Sequence, residues 1–359
     1  MKNAIRLGFF LLVLLAAAGL LWAGGEKEEM AGEEEPETEV AMELPPPPPF
    51  DSAIIPEDSG EVEPVDKIAP EKIRIAVLGL ENNPFWIPVK EGTFAAQMEL
   101  KPLNAEVDWI NAGAQHTTDV FSRALEAAVA QEYDAIATIA GDSGIVPYIN
   151  DAVEAGIPVA TFNSETDTEN NRLFFVGADL YKQGQTAGEK MVEVLGGEGE
   201  VAIITGFFAV EAHELRRLGF EDYISDNAPD ITIVDRVENQ DKADIAYNQA
   251  QDFMTANPGL DAIYVTAGGP FGAAAAVEDA GRGGEIKIIS YDFVDETMEY
   301  VKKGVITGTI GQQPYAQGHD PAIRLFNYLV GGVAPPAGKL LTKADFVTQE
   351  NIDDFWSEK

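Results

Sequence analysis

The polar residues best suited to hold a small molecule in this chain fall directly after short apolar runs. Asn82, Asn83, Phe85 and Trp86 follow IRIAVLGL, and Asn163, Ser164 and Glu165 follow PVATF. Phe207 and Phe208 follow EVAIITG, with Arg216 further along the next segment. Asn239 to Asp241, Ala267 to Phe271, Tyr291 and Asp292, and Gln312 close four later runs. Amides, carboxylates and a guanidinium make paired hydrogen bonds to hydroxyls, and aromatic rings cover C–H faces. This set suits the gripping of a neutral polyhydroxylated molecule.

The same inventory lacks the patterns of most catalysts. The histidines are His116, His213 and His319, and none belongs to an HExxH pattern. No phosphate-binding GxxxxGK[ST] loop occurs, and GDSGI around Ser143 lacks the GxSxG spacing. Asp353 and Asp354 lie in a polar tail, where carboxylates are solvated. The chain is therefore read as a non-enzyme with no catalytic residue, cofactor or metal site, and a carboxylate-only carbohydrate hydrolase remains the alternative. His116 and His213 read as surface residues; Phe293 and Tyr315 read as wall residues.

The elements that must position these groups alternate along the chain. Ten β-branched runs, from IRIAVLGL to GVITGTI, are separated by segments of helical spacing. In HTTDVFSRALEAAVAQ, for example, Val120, Phe121, Ala124, Leu125, Ala128 and Val129 share one helical face. Near-continuous apolar strands joined by amphipathic helices imply parallel sheets covered on both faces. Ten strands fit two lobes better than one small sheet. The fold class is thus α/β, with two doubly wound parallel-sheet lobes, and Asp179 is placed to cap the first helix of the second. In open sheets of this kind ligands bind beyond the carboxyl ends of the strands, where the polar groups above are found. In ENNPFW, Asn83 is placed to cap a helix whose first turn carries Pro84, Phe85 and Trp86.

Composition bounds the partners. The formal net charge of −37 opposes nucleic acid and anionic membrane surfaces. Lys2 and Arg6, an apolar core and Ala23-Gly24-Gly25 resemble an export signal over residues 1–25, with an uncleaved anchor as the alternative. The absence of cysteine excludes disulfides and thiol chemistry. Residues 26–70 are acidic and proline-rich, and are expected to be a disordered spacer. The location is periplasmic or cell-envelope.

NNPFW, DAVEAGIPVATFNS, ISYD and GTIGQQP in combination resemble the ribose-binding-protein-like sugar receptors of ABC importers, over about Lys72 to Leu341. The resemblance implies a three-crossing hinge with the ligand in the interlobe cleft, and crossings near Ala178, Gln312 and about Gly332. The first lobe would be 71–178 with 313–332, the second 179–312, and 333–359 a tail over the hinge. It further implies that Asn83 binds a hydroxyl, that Phe85 and Trp86 stack on a sugar, and that Arg216, Asp292 and Gln312 reach it from the second lobe and hinge. For Arg216 a surface pairing with Glu214 or Glu221 is the alternative, and for Asp292 a helix cap. Asn163-Ser164 stand where ribose binders carry Asp-Arg, Ala267-Gly268-Gly269 where they carry Asn-Asp, and Asp241 where they place an aromatic. The implied ligand is a sugar or polyol other than ribose, and the implied partner a membrane ABC permease, served by a monomer. A sensory receptor for a sugar or furanosyl signal is the alternative.

Overall fold

The structure, a computed structural model, describes residues 44–81, 83–113 and 115–357. The expected export signal, the start of the spacer and Asn82 lie outside the described residues. The chain runs β1 (Ala53–Ile54), β2 (Ile73–Leu80), α1 (Trp86–Leu100), β3 (Ala105–Gly113), α2 (Thr118–Ala130), β4 (Ala135–Thr138), α3 (Val146–Glu154), β5 (Val159–Phe162) and β6 (Phe174–Gly177). It continues α4 (Leu180–Leu195), β7 (Glu198–Thr205), α5 (Glu211–Asn227), β8 (Asp230–Glu238), α6 (Ala243–Ala256), β9 (Ala262–Val265), α7 (Pro270–Asp279) and β10 (Lys287–Tyr291). It ends α8 (Asp295–Lys302), β11 (Gly308–Ile310), α9 (Pro314–Gly331), β12 (Lys339–Leu341) and β13 (Phe346–Val347).

Two sheets form. The first has the order β1-β12-β6-β5-β4-β2-β3 and is parallel throughout; the second has the order β13-β11-β10-β9-β7-β8, with only β13 antiparallel. Both are covered on two faces, which is why their strands are apolar on successive residues. On β7, Ala202 and Ile204 pack toward α6 and α7, whereas Val201 and Ile203 pack with Phe220 and Ile224 of α5. The side-chain period of two thus feeds two cores. All ten expected strands are present.

The first crossing runs from β6 into α4, whose N-cap Asp179 accepts the Lys182 amide at 2.9 Å. The second runs from β11 into α9. The third lies at 342–345 and not near Gly332, because β12 still pairs with β6 in the first sheet before β13 joins the second. Residues 333–359 are likewise more than a tail: they add a strand to each sheet, and Ile352 is buried in the second lobe's core.

The spacer expectation is corrected for residues 44–70. β1 pairs with β12, and Val62 and Ala69 are buried in the first lobe's core. Asn327 binds the segment at both of its polar ends, accepting from the Val65 amide at 2.7 Å and donating to the Glu63 carbonyl at 3.0 Å. The Phe50 ring lies 4.1 Å from the Arg172 guanidinium carbon, and Arg172 is itself paired with Glu165. A few apolar anchors and backbone hydrogen bonds hold this strap, despite a composition that disfavours a core of its own.

Candidate functional site

Strand ends from both sheets converge on a cleft of 840 Å³, counting its open mouth. Eight of the expected residues line it: Asn83, Phe85, Trp86, Asn163, Arg216, Asp241, Asp292 and Gln312.

On the first lobe, Asn83 does not cap α1 as expected: the helix starts at Trp86 with Phe85 as its N-cap, and Asn83 Oδ1 accepts the Phe85 amide at 3.0 Å in the turn before it. This turn fixes both rings, which meet edge to face at 5.2 Å and are almost wholly buried. Asn163 follows β5 with φ 67°, a left-handed conformation that asparagine tolerates better than most residues. Its Nδ2 donates to Gln317 Oε1 at 3.1 Å, fixing the amide's orientation. Ser164 is a correction. It is fully buried and does not line the cleft, because the turn at Asn163 sends the next side chain back into the lobe.

On the second lobe, Arg216 is held from several sides. Its Nε and Nη2 donate to Gln183 Oε1 at 3.2 and 3.1 Å, and Nη1 donates to the Thr266 carbonyl at 3.1 Å. The guanidinium carbon lies 3.9 Å from the centre of the Tyr291 ring, whose hydroxyl meets that of Tyr264 at 2.8 Å. Arg216 is 4% exposed, so it is no surface partner. Arg217 instead pairs with Glu214 and Glu221. One residue of helical rotation separates a site arginine from an ordinary surface one.

Asp292 follows β10 with φ 73°, a strained conformation for a non-glycine residue. Its Oδ1 accepts from Gln312 Nε2 at 2.7 Å, and burial raises its pKa although Arg216 opposes this. It does not cap α8, whose N-cap is Val294. Asp241, at φ 57°, accepts the Gly268 amide at 3.0 Å and is also shifted upward by burial. The Ala267-Gly268-Gly269 stretch thus supplies an amide to Asp241 and keeps large side chains away. Among the described residues that line the cleft none is a serine, threonine, cysteine or lysine. The cleft offers rings, fixed amides, one cation and two carboxylates, which is a set for binding.

His116 and His213 correct the surface reading: both line the cleft. Each had a signal in the chain. His116 lies three residues beyond β3, at a strand end, and His213 lies one helical turn before Arg216 on the same face. Phe271 and Leu180 also line it. Phe293 and Tyr315 instead line an adjoining hinge-side groove, which shares Pro84, Phe85, Asp292 and Val294 with the cleft.

Residues 75–332 match the model of a periplasmic binding protein domain. Among curated relatives, a D-ribose/D-allose-binding protein of Pseudomonas aeruginosa is 28% identical over 255 residues, covering 68% of this chain and 78% of the relative. A glucose-galactose binding protein from Geobacillus stearothermophilus, known from its crystal structure, is 30% identical with a TM-score of 0.70, and the match covers 78% of this chain and 99% of that one. An arabinose binding protein from the same organism is 26% identical with a TM-score of 0.65, over 80% of this chain and 100% of the other.

Proposed function

Because the chain belongs to the periplasmic binding protein family, we propose that it captures a sugar or sugar-like polyol in the interlobe cleft and delivers it to an ABC-type permease by hinge closure. Family membership implies an extracytoplasmic location, in keeping with the export-like first residues. One observation carries the ligand class: Phe85 and Trp86 on one lobe share a cleft with Arg216, Asp241 and Asp292 on the other. Rings take the C–H faces of a sugar, and the fixed polar groups take its hydroxyls. The relatives named for glucose, galactose, ribose, allose and arabinose support the same class.

Each lobe contributes part of the site, so the ligand has most of its contacts only when the lobes are together. A solute with differential affinity for the closed form shifts the population toward it, and a permease that reads the closed shape receives loaded protein. Gln312 acts at the second crossing, where it links the hinge to Asp292. A melting-temperature screen against monosaccharides and polyols tests the reading, since a ligand that binds only folded protein stabilises it. At least one sugar raises the melting temperature. A shift with nucleosides or amino acids and none with any carbohydrate overturns the assignment.

A further inference from the structure

His116 and His213 come from opposite lobes, and each occupies a space that only a glycine leaves open. A Cβ on Gly141, beyond β4, would lie 2.8 Å from His116 Cε1. A Cβ on Gly206, beyond β7, would lie 2.5 Å from His213 Cε1 and 2.6 Å from Asp241 Oδ1. His213 and Asp241 therefore converge on one glycine. The His213 Nδ1 accepts the Phe207 amide at 3.1 Å, and the ring stacks on Phe207 at 6.4 Å. With Nδ1 an acceptor, the neutral ring carries its proton on Nε2 and has a donor to spare. Asp241 Oδ1, the oxygen beside Gly206, accepts the Gly268 amide, and the carboxylate has further lone pairs to accept with. A donor beside an acceptor is what a hydroxyl requires, because a hydroxyl both gives and takes a hydrogen bond. His116, edge-on to Phe121 at 5.7 Å, faces the same corner and interacts electrostatically with both His213 and Asp241.

We propose that His116 and His213 are specificity-determining residues that close on one hydroxyl-bearing end of the bound solute from opposite lobes, with Asp241 between them. This rests on the sugar-binding reading above and deepens it. The solute it implies carries a hydroxyl at that end, and a deoxy analogue lacking it loses the His213–Asp241 pair of contacts.

The charges around the two rings give the proposal a second readout. Burial, followed by the facing His213, lowers the pKa of His116 to about 4, against Asp241 and a hydrogen bond that the ring donates to Asn163. Burial, followed by Arg216, lowers that of His213 to about 3. Glu211, nearby on α5, faces Asp167, Asp142 and Glu165 of the first lobe, and burial followed by these charges raises its pKa. In an open cleft water reaches both rings and relieves their burial, so both pKa values rise toward about 6.5, that of His213 less far because Arg216 stays beside it on α5. Protonation then favours the open form, so grip is complete above about pH 6.5 and is lost as pH falls below it.

The test is calorimetric titration of the full chain with the sugar that gives the largest melting shift, at pH 7.5 and 5.5. The expected wild-type result is a Kd about tenfold or more higher at pH 5.5, one histidine protonated one unit below its open-form value accounting for about tenfold. His116→Ala and His213→Ala each raise Kd at least about tenfold at pH 7.5 and flatten the pH dependence. His213→Gln, whose carbonyl can still accept the Phe207 amide and whose amide can still donate, restores affinity without acid sensitivity. That recovery separates lost contact from lost folding. Sugar binding by the wild type with a Kd that neither the pH nor these substitutions move by more than about twofold overturns the proposal. A wild type that binds no sugar overturns the sugar reading itself.

Discussion

Gln312 Nε2 donates to Asp292 Oδ1 at 2.7 Å, joining the second hinge crossing to the end of a second-lobe strand. The carboxylate keeps its other oxygen for the cleft, and the bond fixes which way it points. In the proposed function, hinge position and ligand contact thereby meet in one side chain. Asp292→Asn retains an oxygen for Gln312 and loses the charge. The expected cost is about 1.5–3 kcal/mol of binding, a Kd about 10- to 100-fold higher. The ligand-free melting temperature does not fall, because a buried charge has been removed. Calorimetry and thermal melting on the same variant check both halves.

Trp86 gives an optical readout of the cleft. Trp109 donates to Glu81 outside it, and Trp356 donates to Asp295 near the C-terminus. A saturable change in tryptophan fluorescence on sugar binding therefore vanishes in Trp86→Phe and survives in Trp109→Phe. The reverse pattern would place the ligand elsewhere.

The strap formed by residues 44–70 makes a stability prediction. Both Asp320 carboxylate oxygens accept the Gly60 amide, at 3.1 and 3.0 Å, and Ser59 donates to Gln313 at the second crossing. Asp320→Ala frees the strap and leaves a half-buried amide without its acceptor. The expected loss is about 1–3 kcal/mol in urea unfolding, with faster proteolysis within residues 44–70. Unchanged stability and cleavage would show that the strap is held by its apolar anchors alone.

His319 supplies a pH signature of its own. Burial lowers its pKa, but the Asp320 hydrogen bond and the charges of Asp320 and Glu99 outweigh it, so the net shift is upward. A group that binds its proton more tightly when folded contributes stability that is complete below its unfolded value, about 6.5, and is lost as pH rises through the folded one. The melting temperature therefore declines from about pH 6.5 upward, and His319→Gln flattens the decline. The cleft histidines act in the opposite sense and at lower pH, so the two effects separate.

The parts of this fold that were legible in the sequence are those that repeat. Runs such as IRIAVLGL and EVAIITG are long enough to bury on both faces, and their spacing admits little but a parallel sheet. Asp179 and Asn83 announced their turns through residue type alone. What escaped was short or held by others. β1 and β13 have two residues each and β12 three, too few for any periodicity, so the third crossing was misplaced. The strap's anchors, Val62 and Ala69, are isolated among acids and prolines, and their partners lie far along the chain. In the site, the strand-end rule found the carboxylates and amides because they adjoin apolar runs. It lost Ser164 because the left-handed turn at Asn163 reverses the next side chain. It passed over His116, three residues beyond β3, and His213, one turn before Arg216, because the glycines beyond β4 and β7 that make room for them lie far away in the chain. Arg216 and Arg217 could be told apart only by their places on the helix once its buried face was known.

A structure of the protein bound to the sugar with the largest melting shift tests the central claim most directly. The expected complex holds one sugar per chain between the lobes, its ring against Trp86, its hydroxyls on Asp292 and Arg216, and one end at His116 and His213. A sugar bound outside this cleft, or lying in it without touching the second lobe, would contradict it.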